Sequence, residues 1–317
     1  MDIRKDIILK KGISLRKGIL FSSITALISG FSIFLNGAYV VKIIKDPFVL
    51  TSARNIIVAV FLSSLLLGIL KHVKLKELKL KQWAQLILIG LIGGSIPFLL
   101  FFKGLSISQA AAVNGAFIHK TLFLWVALLA IIFLKEKLSF WQVGALGVLL
   151  AGTYLAGGPK TFNVGQGEKL VLLAVLFWAI EFIIAKQILK NLPSLVVAWG
   201  RMFFGSIILI GFLFFTHRLG NINNLNTTQW SWLIGTGLLL FGYVTTWYTG
   251  LKHAPATVVT SILTLGFSVT VLLNSIFVTH KFDLKQIIGV ILICLAVFVI
   301  SKIRLARKDL ELQHARI

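Results

Sequence analysis

Polar and apolar positions along this chain sort into long blocks. Ten apolar runs recur, near 18–41, 47–70, 83–103, 108–134, 139–157, 169–189, 194–216, 230–250, 255–279 and 284–302. Each approaches or exceeds the roughly 18 residues that a helix needs to cross a hydrocarbon core of about 30 Å. The polar segments between them are too short to hold a separate soluble domain. The pattern predicts an all-α polytopic membrane protein with ten transmembrane helices. Composition agrees, since 317 residues that are 57% hydrophobic, with a mean hydropathy of +0.94, cannot hide their apolar surface in one water-soluble core.

The blocks also repeat. Pro47 and Arg54 in "DPFVLTSARN" correspond to Pro193 and Arg201 in "LPSLVVAWGRM", and "QWAQLILIGL" at Gln82 corresponds to "QWSWLIGTGL" at Gln229. Further on, "LSFWQVG" at Leu138 lines up with "FDLKQIIG" at Phe282. The near-constant offset predicts a duplicated five-span unit. Five is odd, so the second unit enters the membrane from the opposite side, which makes two inverted five-helix repeats. Such repeats place a site at the bilayer midplane that opens first to one side and then to the other. The predicted organisation is a basic N-terminal arm at 1–17, a first repeat at 18–157, an external linker at 158–168, a second repeat at 169–302 and a basic tail at 303–317.

A formal charge of +22 raises the question of nucleic acid. Its distribution answers otherwise. With an even number of spans both termini share one side, which collects 21 of the 32 lysines and arginines, among them Arg4, Lys5 and the "KHVKLKELKLK" loop at Lys71–Lys81. Eight lie on the other side, including Lys42, Lys103, Arg218 and Lys281. The positive-inside rule then makes both termini cytoplasmic, with anionic lipid head groups as partners of the basic excess and no nucleic acid. The run from Gly18 to Val41 is too long for a signal-peptide core and reads as a retained first span. Cys294 is the only cysteine, so no intrachain disulfide or cysteine metal cluster can form.

Closing the first half is "FLKEKLSFWQVGALGVLLAG", an acidic turn before a glycine-rich fifth span, and both second spans keep the Pro-to-Arg spacing. On these motifs the chain resembles an EamA-type member of the drug/metabolite transporter superfamily, over essentially all of residues 18–302. The resemblance implies an alternating-access carrier of small metabolites, often an exporter, in the inner membrane of a prokaryotic cell, as a monomer or homodimer and without cofactor or bound metal. A multidrug-type efflux carrier is the alternative. Two departures stand out: no proline follows Lys120 in the fourth span, and His280 sits in the second closing turn where an acid is expected.

Ionised groups near the centre of a span cost roughly 2.5–3.5 kcal/mol on insertion scales and so face a bundle interior or a wet cavity. Arg54, His119, Lys120, Glu181 and Arg201 qualify. His119 and Lys120 fall near the midpoint of the fourth span, and adjacent helical residues point about 100° apart. Lys120 is the stronger cavity-facing candidate, because a histidine can satisfy itself on a backbone carbonyl. Glu181 is the only carboxylate in a predicted span core and aligns with Asn36 of the first repeat. Lys120 is a candidate counter-charge for it, and the pair a candidate route for a coupling proton. Arg54 and Arg201 either bind an anionic group of the substrate or tie broken helix ends and carbonyls of neighbouring spans. Glu136 either caps the helix starting at Ser139 or pairs across the bundle.

Absences weigh against an enzyme. The sequence has no HExxH, GxSxG or GxxxxGK[ST] motif, and no second intramembrane acid for a catalytic dyad. A non-transporting scaffold or receptor is the remaining rival class. Three span-core cations against one acid favour an anionic or zwitterionic solute such as an amino acid.

Overall fold

The computed structural model describes residues 3–68, 75–107, 109–159 and 164–314, and the regular structure among them is helical throughout. Nine stretches of the described residues are long and apolar enough to cross a membrane: Ser14–Ile43, Pro47–Gly68, Leu80–Ser106, Asn114–Leu134, Phe140–Gly157, Gln166–Ile188, Ser194–Phe215, Ala256–Thr279 and Leu284–Ala306. They correspond to nine of the ten expected spans. Several are built from more than one helix. In chain order the helices of eight residues or more are α1 (Ile3–Leu35), α2 (Pro47–Gly68), α3 (Leu80–Ile92), α4 (Ile96–Leu105), α5 (Gln109–Lys120), α6 (Leu122–Leu134), α7 (Phe140–Gly157), α8 (Gln166–Ile188), α9 (Ser194–Phe215), α10 (Thr227–His253), α11 (Ala256–Leu263), α12 (Leu265–Asn274) and α13 (Leu284–His314).

The stretch that falls short of the apolar measure is α10. At 27 residues it is about 40 Å long, ample for a crossing. It packs against α1, α2 and α9, and buries Thr236, Trp247 and Tyr248. A helix covered by protein on several faces can carry polar residues that lipid would reject, so its sequence is less apolar than its position.

Three helical stretches break near their middles. The break between α3 and α4 spans Gly93–Ser95, and Pro97 sits in the first turn of α4, where its missing N–H leaves no helical bond unmade. The other two breaks match each other. The Thr121 N–H donates to Ile118 O at 3.0 Å and the Leu124 N–H to Thr121 O at 2.9 Å; the Thr264 N–H donates to Ser261 O at 3.2 Å and the Phe267 N–H to Thr264 O at 2.9 Å. Each residue of the second set lies 143 positions after its counterpart, so the two halves share a mid-helix tight turn as well as sequence.

Packing follows the same rule. Helices α2 and α9 pack on each other, as do α7 and α13, each pair being counterparts. The contact of α1 with α10 is matched by that of α8 with α4, and the contact of α1 with α11 and α12 by that of α8 with α5 and α6. These principal contacts of one half thus have their equivalents in the other. At the chain ends the helices outrun the predicted spans: α1 begins at Ile3, inside the expected arm, and α13 continues to His314. Residues 71–74 of the basic loop and 160–163 of the linker lie outside the described residues.

Candidate functional site

Glu181 and Arg201 form a buried ion pair on α8 and α9. The Arg201 Nε donates to Glu181 Oε1 at 2.8 Å, the Tyr248 hydroxyl donates to the same oxygen at 2.7 Å, and the Arg201 Nη2 donates to the Gly93 carbonyl at 2.9 Å. That carbonyl, freed by the break between α3 and α4, also accepts from Trp178 Nε1 at 3.3 Å. A β-carbon on Gly93 would stand 2.0 Å from the Glu181 carboxyl carbon, so only glycine lets the broken backbone come this close. Phe98 and Trp247 flank the guanidinium. The structure therefore corrects the expected partner: Arg201, rather than Lys120, faces Glu181. Of the two roles open to Arg201, its contacts are those of a tie on a broken helix end.

The counterpart in the first half is an arginine on a neutral amide acceptor in place of the carboxylate. Arg54 Nη1 donates to Asn36 Oδ1 at 3.0 Å, and the Asn36 amide donates to Ser32 O at 2.6 Å. The pairs Asn36 with Arg54 and Glu181 with Arg201 are thus equivalent contacts made once in each half. Neither pair lines the central cavity.

That cavity, of about 80 Å³, lies where both matching breaks meet, and its lining includes His119, Lys120, Phe123, Phe182, Thr264 and Phe267. His119 and Lys120 both reach it, contrary to the expectation that only one would. The helix turns tightly at Thr121, directly after them, so the regular 100° spacing does not continue past this point. His119 packs against Phe101 and Trp178, with ring centroids 5.2 and 5.1 Å away, rather than resting on a backbone carbonyl among the described residues. Lys120 Nζ sits 5.1 Å from the centroid of the Phe267 ring. Among the described residues it has neither an ion-pair partner nor a hydrogen bond.

One end of the bundle beyond this cavity is tied shut. The Glu136 carboxylate accepts from the Ala256 N–H at 2.7 Å and from the Thr257 N–H and hydroxyl at 3.3 and 2.6 Å, capping α11. It thereby pairs across the bundle, while α7 is capped by its own Ser139 and Gln142. Beside it, Lys186 Nζ donates to Leu251 O and Ala254 O, and Lys252 Nζ donates to Leu192 O. At the opposite end a larger cavity of about 430 Å³ opens between α7, α12 and α13, lined by Gly157, Phe267, Asn274, Lys281, Asp283 and Gln286 among others.

Sequence reading did not single out Phe267, Thr264 or Tyr248. The threonines of "TVVTSILT" in α11 and at its break were the available signal, since each can bond a carbonyl one turn back. It also missed Glu168, a second buried carboxylate at the start of α8 that accepts from the Asn114 amide at 2.9 Å.

Comparison with known proteins adds to this geometry. The model of the EamA-like transporter family matches residues 16–158 and again 165–302. The uncharacterized transporter YxxF of Bacillus subtilis is 28% identical over 174 residues, which is 53% of this chain and 54% of that protein. An S-adenosylmethionine uptake transporter of Rickettsia bellii is 35% identical over 103 residues, 32% of this chain and 33% of that one. The chain thus spans about half the length of the first relative and a third of the second. A solved crystal structure, 16% identical, superposes with a TM-score of 0.75 over 90% of this chain and 98% of its own, which establishes the shared fold.

Proposed function

We propose that this chain, which belongs to the EamA-like transporter family, is a secondary carrier that moves a small carboxylate-bearing metabolite, of amino-acid type, by alternating access. Family membership makes it a membrane transporter and implies a non-enzymatic role. The observation that carries the finer reading is the Lys120 ammonium at the central cavity without an acid partner among the described residues. A cation held there in low dielectric calls for an anion from the solute, and a carboxylate supplies it. S-adenosylmethionine, the solute named for the Rickettsia relative, also carries an amino-acid carboxylate. A lipophilic cation, the usual cargo of multidrug efflux, would meet the same charge as a repulsion.

In this reading α10 is the eighth span and completes the set of ten, and the halves are inverted, as the matched neighbours and matched breaks of the two halves support. Lys120 and His119 contact the solute, whereas Asn36, Arg54, Glu181 and Arg201 hold the helices that frame the cavity. No nucleotide-binding loop is present in the sequence, so the driving force is a solute or ion gradient, with the proton as candidate ion. The test is counterflow in proteoliposomes with a panel of amino acids, other carboxylates and organic cations, which needs no knowledge of direction or coupling. Exchange of carboxylate solutes is expected. Exchange confined to the cations would replace the reading with drug efflux, and solute binding without any exchange would make the protein a receptor.

The positive-inside asymmetry further supports a cytoplasmic position for both termini and the loop at 71–81. Single cysteines at Lys76 and Asn223, in a Cys294→Ser background, are expected to label oppositely with an impermeant maleimide. Labelling of position 76 from outside intact cells would overturn this orientation.

A further inference from the structure

Phe267 lines both the central cavity and the larger cavity at the open end, so its ring stands between them. On one side the ring lies under the Lys120 ammonium at 5.1 Å. On the other it abuts Gly157 at the end of α7, where a β-carbon would come within 2.7 Å of the ring tip. The ring is therefore wedged between the end of α7 and the Lys120 ammonium of the central cavity. It is also carried on the first turn of α12, directly after the Thr264 break, where the Phe267 N–H bonds Thr264 O. A small change at that tight turn re-aims the whole side chain. Sites for small molecules commonly measure about 300–1,000 Å³. The central cavity, at about 80 Å³, is well below that size, and the cavity beyond Phe267, at about 430 Å³, is not. A solute reaching Lys120 from the open end must displace the ring.

We propose that Phe267 is the outer gate of the carrier and that the Lys120 ammonium is its catch. The ring and a solute carboxylate compete for the same cation. An empty site holds the ring and stays shut toward the outside; a bound carboxylate takes the ammonium and releases the ring, so that binding and gating bias one equilibrium. The cytoplasmic side is closed independently, by Glu136 on α11 and Lys186 on the corner after α10. The inference rests on the reading of the central cavity as the solute site and on the cytoplasmic placement of the termini.

The gate is tested without any solute. Ser29 lines the central cavity and not the outer one, which makes Ser29→Cys in a Cys294→Ser background a conservative reporter. Its reaction with an impermeant anionic methanethiosulfonate is followed from outside intact cells and from the cytoplasmic face of inverted vesicles. Phe267→Ala is expected to speed the outside reaction about tenfold or more. Phe267→Ile keeps bulk but loses the aromatic face, and is expected to speed it about threefold, in the range a cation–π contact supports. Lys120 is retained in both, so attraction of the reagent is unchanged. An outside rate in Phe267→Ala within twofold of the parent overturns the gate, as does acceleration seen from the cytoplasmic face. Acceleration in Phe267→Ala with the parent rate in Phe267→Ile overturns the catch. Because labelling requires no transport, failure of the counterflow assay would leave this result standing, and the reverse holds too.

Discussion

Arg201→Met is expected to cost about 3–5 kcal/mol of stability, the range seen when one partner of a buried ion pair is removed, and so to leave little folded protein. The geometry sets the size of the effect. Without the guanidinium, Glu181 keeps a hydrogen bond from Tyr248 but loses the counter-charge that faces it, and the Gly93 carbonyl loses a charged donor at the break between α3 and α4. Glu181→Gln is expected to destabilise as well, since it strands the Arg201 charge among Phe98, Trp247 and Met202. The paired change Glu181→Met with Arg201→Met should recover most of the loss, because exchanging a buried pair for apolar groups of similar volume is near neutral. Thermal melting of detergent-purified protein, read by fluorescence-detected size exclusion, gives all three values. The competing idea, that Glu181 carries a coupling proton, predicts the opposite pattern: Glu181→Gln melts like the parent, exchanges solute and loses only its response to an imposed pH gradient. Parent-like melting in both single variants would falsify the structural role.

These residues also show how far the sequence could be read. Depth along a span is legible from position within an apolar run, and the repeat alignment relates Asn36 to Glu181 and Arg54 to Arg201. Both of those relations recur as contacts, with Arg54 on Asn36 and Arg201 on Glu181. Which helix stands beside which is not legible from depth. Lys120 and Arg201 are both cations inside spans, and nothing in periodicity says that α9 rather than α5 approaches Glu181. The direction of a side chain is legible only while the helix is regular. His119 and Lys120 precede a tight turn at Thr121, so the rule that separates neighbours by about 100° fails where the cavity is. Phe267 left no signal for a different reason: in a chain with 25 phenylalanines, one ring at a helix break looks like lipid-facing packing. Helix α10 marks the converse limit: the apolar run at 230–250 is read as a span, yet the helix that forms there falls short of the apolar measure that nine other stretches of the described residues meet.

Lys120→Met is expected to abolish counterflow at ordinary solute concentrations while insertion and folding persist. Removing a central charge lowers the insertion cost of the span by roughly 2.5–3.5 kcal/mol, so assembly is not the weak point. Nor is Lys120 expected to hold the fold, since among the described residues it makes no hydrogen bond or ion pair and lies over the face of Phe267. What the variant is expected to lose is the proposed contact with the anion. A hydrogen bond to a charged group contributes about 1.5–3 kcal/mol, which corresponds to a ten- to hundredfold rise in the concentration giving half-maximal exchange. Lys120→Arg keeps the charge on a longer, planar head and should retain part of the exchange, with a changed order of preference among carboxylates of different size. His119→Gln gives the necessary contrast at the same depth. That ring packs on Phe101 and Trp178 at the cavity wall, so its replacement should alter affinity less than loss of the ammonium does. Normal counterflow in Lys120→Met would remove the lysine from the solute site. Loss of folded protein would assign it to the helix framework instead, and only loss of exchange in a well-folded variant fits a cation held in the cavity for the carboxylate of the solute.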